Sequence, residues 1–123
     1  MKIYNLTQHE LTEEQKKDGI IELPAALSER VRSLLTFETL PTRAEIEERA
    51  QQLAELAAGE GAEGAMLGGV PFLMSALQNA LQQRSIRTFF AFSRRRCTEV
   101  HTADGNVEKR CLFCYEGLVE TQP

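Results

Sequence analysis

The 123-residue sequence predicts an α/β fold: a three-layer, mostly parallel, Rossmann-like sheet that ends in a C-terminal β-hairpin. Three observations carry this expectation. Short β-prone runs alternate with segments whose apolar residues recur at helical spacing. The run "IRTFFAF", Ile86 to Phe92, is nearly all apolar or β-prone, as in a strand covered on both faces. Finally, Asp104-Gly105 within "TADGN" is a strong hairpin turn.

The elements follow in order. "KIYNL" is the first strand, and "TEEQ", Thr12 to Gln15, has the capping-box pattern of a short helix that stops near Gly19. "IIEL" is a second strand, closed by Pro24, which also suits the first turn of a helix. Leu27, Val31, Leu34 and Leu35 then recur at helical spacing. Thr42 and Glu45 repeat the start signal, and Ile46, Ala50, Leu53 and Ala57 form one apolar stripe that ends at Gly59. "GEGAEG", residues 59–64, reads as a loose connection. Ala65 to Leu67 is a strand, and Pro71 opens a helix whose buried face is Leu73, Ala76, Leu77, Ala80 and Leu81, ending near Arg84. "CTEVH" and "VEKRCLFCYEGLV" are the hairpin arms.

At 123 residues the chain is most simply one domain, 1–123, long enough to bury about 65% of its unfolded surface. Hydrophobic residues are 42% and charged residues 26%, an ordinary globular balance. A net charge of -4 argues against coating a long nucleic acid, but leaves room for a small anion in a locally basic pocket. The first twenty residues are charged throughout and no window reaches the ~18 apolar residues of a membrane span. Three cysteines without a secretion signal point to a reducing compartment, so the expected location is cytoplasmic.

In such sheets ligands bind beyond the carboxyl ends of the strands. That rule selects Thr7, Gln8 and His9, the segment after Leu23, the pair Gly68-Gly69, and Ser93 to Arg96. Gly68 and Gly69 let backbone approach a ligand, and the helix after them offers free N–H groups to an anion. The pair is neither a P-loop nor a dinucleotide fingerprint, and simple turn geometry explains it too. Arg94, Arg95 and Arg96 put guanidinium forks after a buried strand, where they can pair with phosphate or with the chain's own carboxylates. Ser93 is a candidate hydrogen-bond donor, and His9 a candidate general acid or base. Glu99 and Lys109 fall on opposite hairpin arms, where a plain cross-strand ion pair is the simplest account.

Cys97, His101, Cys111 and Cys114 spell C-x3-H-x9-C-x2-C, four potential zinc ligands. On one regular strand Cys111 and Cys114 point to opposite faces, which favours small buried thiols over a metal. No metal or other cofactor is expected.

Several short patterns in this order resemble the small CRISPR-associated ring nucleases, single-domain relatives of CARF sensor domains. They are "HELTEEQ", "IIELP", "LGG" before a helix, "FAFSRR", Glu99, the "DGxV" turn and "LFCYEGLV". The resemblance implies metal-independent degradation of cyclic oligoadenylate, the second messenger of type III CRISPR defence. A ribose 2′-hydroxyl attacks the adjacent phosphate and leaves a 2′,3′-cyclic phosphate. His9 is then the base candidate, while Ser93 and Arg94 act on the reacting phosphate. Thr7, Gln8, Gly68, Gly69, Arg95 and Lys109 would hold the ligand. A ligand with rotational symmetry also implies a homodimer. The alternatives are a sensor or sink that binds without cutting, and a small protein-interaction domain.

Overall fold

Two threonines start helices where their spacing predicts. Thr12 accepts a hydrogen bond from the Gln15 N–H, and the Gln15 side chain accepts one from the Thr12 N–H, a complete capping box for α1 (Glu13–Lys17). Thr42 accepts from the Glu45 N–H and starts α3 (Arg43–Gly59). Pro24 precedes α2 (Ala25–Leu35), and Pro71 is the first residue of α4 (Pro71–Gln82). The strands are β1 (Ile3–Leu6), β2 (Ile20–Ile21), β3 (Gly64–Leu67), β4 (Arg87–His101) and β5 (Val107–Glu120). This computed structural model describes residues 1–121.

The sheet order is β2-β1-β3-β4-β5. The first four strands run parallel, and β5 pairs with β4 antiparallel as the C-terminal hairpin. The connection from β1 to β2 therefore moves one way along the sheet, while those from β2 to β3 and from β3 to β4 move the other way. Right-handed crossovers then put α1 on one face and α2, α3 and α4 on the other. The strand order reverses between β1 and β3.

Burial follows this asymmetry. The main core packs Leu53, Leu73, Leu77 and Leu81, all 0% exposed, against Leu6, Ala65 and Leu67 of the sheet. The opposite face carries a smaller cluster of Leu11, Ile20 and Met66, bordered by Ile3, Tyr115 and Leu118. There α1 itself buries no side chain. It is tethered where the Tyr115 hydroxyl donates to Asp18 at 2.7 Å. The third layer thus exists, but it is one short helix.

The last strand of the parallel set corrects two expectations. The sequence predicts a strand over Ile86–Phe92 followed by a separate hairpin arm; β4 instead continues to His101, with a shift of register against β5 between Phe92 and Ser93. Its pairing with β3 stops at Phe90, opposite Leu67, whereas pairing with β5 continues to His101 opposite Val107. Antiparallel partners sustain each other's ladder without help from the sheet. Covering on both faces likewise ends early: Phe89 is buried, Phe90 half-buried, and Phe92 51% exposed. Beyond Ala91 the hairpin is a two-stranded ribbon that projects past the sheet.

Candidate functional site

Asn5 organises the carboxyl end of β1. It is one of two buried polar residues among those described, at 6% exposure. Its side-chain amide donates to the His9 carbonyl and to Glu22, each at 2.7 Å, while its oxygen accepts from the Thr7 N–H at 3.0 Å and the Thr7 hydroxyl at 2.7 Å. The second Glu22 carboxylate oxygen accepts from the Leu11 N–H at 3.1 Å. Every capacity of the buried amide is used, so the loop from Thr7 to Leu11 is pinned to one shape. Gln8 adds a hydrogen bond to the Thr36 hydroxyl at 2.8 Å, and His9 stays exposed.

The matching loop after β3 contains Gly68 and Gly69. A Cβ on Gly68 would lie 3.3 Å from the Thr7 methyl, so the two loops touch through the missing side chain. The start of α4 has no side-chain cap, and Pro71 has no N–H. The next N–H groups of its first turn lack intrahelical acceptors and carry the positive end of the helix dipole.

Between these loops lies a cavity of about 370 Å³, lined among others by Thr7, Gln8, His9, Gly68, Gly69 and Ala91. It opens at the carboxyl ends of β1 and β3, where the strand order reverses, the position at which open α/β sheets bind ligands. A larger groove of about 630 Å³ runs between α3 and α4. It lies on the outer helical surface, away from the strand ends, and the backbone approach and histidine of the smaller cavity are missing from its lining.

Thr7, Gln8, His9, Gly68 and Gly69, selected in the sequence by their place after strands, line this one cavity. That selection missed Asn5 and Glu22, which hold the loop, and Ala91, which forms a wall. A polar Asn inside the apolar strand "IYNL" was the available signal, because Asn is depleted in strands and must be satisfied when buried.

The arginines are placed differently. They were expected at the sheet edge and stand instead on the ribbon. Alternation along β4 puts Ser93 and Arg95 on the sheet face of Ala91, at roughly 7 and 13 Å along the strand, and Arg94 and Arg96 on the opposite face. There Arg94 pairs with Glu116 at 2.9 Å and Arg96 approaches the same carboxylate at 3.9 Å. Glu99 and Lys109 are direct cross-strand neighbours, on the order of 27 Å along the ribbon from Ala91.

The cysteine expectation is overturned. Cys97 is exposed and forms a disulfide with Cys111 directly across the ribbon; Cys114 is the free thiol, half-buried. Two of the four potential zinc ligands are therefore bonded to each other. His101 lies four residues further out on β4, and Cys114 turns to the other face. Among the described residues no group of three or more His, Cys, Asp or Glu side chains is placed to hold a metal. No helix among them is long and apolar enough to cross a membrane.

A family model described as "Uncharacterized protein MJ1673 family" matches residues 1–119. The chain belongs to the MJ1673 family. No curated protein and no solved structure matches it. The match takes in both loops of the cavity and almost all of the ribbon of this MJ1673-family chain.

Proposed function

We propose that this protein is a cytoplasmic, metal-independent ring nuclease that opens cyclic oligoadenylate. One observation carries the proposal: the cavity at the reversal of strand order takes part of its lining from two segments, "HELTEEQ" (His9, Glu10, Gln15) and "LGG" (Leu67, Gly68, Gly69), that resemble the ring nucleases. At about 370 Å³ the cavity is near the small end of ligand pockets, which run from ~300 to ~1,000 Å³. It has room for one nucleotide of a ring, with the remainder reaching a second copy.

In this reading the α4 start and the glycine backbone hold a phosphodiester, and Thr7 and Gln8 orient it. His9 takes the proton from a ribose 2′-hydroxyl. The 2′-oxygen forms a bond to phosphorus, the bond to the 5′-oxygen breaks, and that oxygen leaves with a proton taken from solvent water. Ser93, absent from the cavity lining, Arg94, already paired with Glu116, and Arg95, beyond the cavity mouth, do not enter the step.

A non-catalytic sensor or sink is the second reading, because the cavity lining holds a carboxylate, Glu10, and no lysine or arginine to offset the charge that develops on a reacting phosphate. Incubation with cyclic tetra- and hexa-adenylate in EDTA, followed by mass spectrometry, separates the two. Linear products ending in a 2′,3′-cyclic phosphate are expected. Intact rings that still raise the melting temperature would support the sensor, and intact rings with no thermal shift would sink both.

A further inference from the structure

The ribbon beyond Ala91 raises its own question. A two-stranded ribbon is marginal in water unless something covers a face. This one leaves Phe113 77% and Val107 54% exposed on the face that also carries the Cys97–Cys111 disulfide. On that face Arg95 donates to the Cys111 sulfur at 3.4 Å, but among the described residues neither Arg95 nor Glu99 has an oppositely charged partner within ion-pair distance, although Arg94, Arg96 and Glu116 on the other face are paired.

The arrangement about the disulfide is self-complementary. On β4, Arg95 lies two residues before Cys97 and Glu99 two residues after it. On β5, Lys109 and Phe113 flank Cys111 in the same way, Lys109 opposite Glu99 and Phe113 opposite Arg95. A two-fold axis crossing the ribbon at Cys97 and Cys111 therefore sets Arg95 over a second Glu99 and Phe113 over a second Lys109. These are an ion pair and a cation–π contact, each made twice.

We propose that this face of the ribbon docks, antiparallel, on the same face of a second copy of the chain. The paired region from Ser93 to His101 is roughly 30 Å long and, at about 10 Å wide, covers on the order of 300 Å² per copy. A stable complex usually covers about 800 Å² per partner, so this face alone makes a weak, concentration-dependent dimer.

The test needs no nucleotide. Light scattering on the full chain at about 50 μM, without reductant, should give twice the 13.8 kDa chain mass. Arg95→Glu and Glu99→Arg should each raise the dimer dissociation constant at least tenfold, and the double reversal should restore it to near the parent value. Both positions are exposed, and circular dichroism checks that each variant is folded. A mass of one chain overturns the inference. So does a dimer indifferent to both single reversals, or a double variant no better than the singles. A dimer that neither binds nor cuts the ring leaves it standing and removes the proposed function; a monomer that cuts the ring does the reverse.

Discussion

Asn5 and Gly68 show how much of the candidate site rests on single residues. Asn5→Ala strips partners from the Thr7 N–H, the His9 carbonyl and Glu22 together. Hydrogen bonds to a charged group are worth about 1.5–3 kcal/mol, and orphaned buried groups cost more than absent ones. Denaturant unfolding should show a loss of roughly 2–3 kcal/mol. Gly68→Val should act on stability and binding together. Its Cβ would lie 3.3 Å from the methyl of Thr7, which Asn5 holds in place, and the side chain also fills the approach that the glycine leaves open to a phosphate. The expected result is a folded protein with a lowered melting temperature and cyclic oligoadenylate affinity reduced at least tenfold. Retained affinity would mean that the glycine pair is only a turn.

At the scale of elements, α1 and the ribbon are held by few contacts, and each has a measurable trigger. Burial, aided by the hydrogen bond to Asp18 and its charge, holds the Tyr115 phenol above its ordinary pKa. A raised value means that the folded state favours the protonated phenol. The tether's contribution is therefore complete below the unfolded tyrosine value, ~10, and is lost as pH rises through the raised one. Alkaline titration followed by tyrosine absorbance should show Tyr115 ionising late, and Tyr115→Phe should remove that late step. For the ribbon, reducing Cys97–Cys111 frees two arms that have only each other. Amide exchange should speed up in residues 93–101 and 107–115 while β3 and α4 keep their protection, because local openings need not engage the core.

For the molecule as a whole, stability is concentrated on one side of the sheet. Leu77 is fully buried between α4 and the strands, so Leu77→Ala should cost about 2–5 kcal/mol, the range for deleting a buried leucine side chain. Leu112→Ala, at 70% exposure on the ribbon, should change unfolding by less than about 0.5 kcal/mol. Equal losses at the two sites, measured by the same melts, would contradict this division. The open side of the sheet is also the side of the cavity, so what the fold leaves uncovered is where a ligand or a second copy can enter.

Local signals in the sequence specify most elements, through capping at Thr12 and Thr42, the start at Pro71 and the helical spacing of Leu73, Leu77 and Leu81, although they divide β4 into a strand and a hairpin arm. The sequence by itself also determined two walls of the cavity, since loops after parallel strands must meet at the carboxyl edge of the sheet. Where β4 ends was not legible. "FAFSRRRCTEVH" has the composition of a strand end followed by a turn, and only the pairing with β5 keeps it extended to His101. For the same reason the side of each arginine and the bond between Cys97 and Cys111 were hidden: register sets both, and register belongs to two segments at once. Asn5 was visible as an oddity, but its partner Glu22 lies on a neighbouring strand's extension, and only folding brings the two within a hydrogen bond.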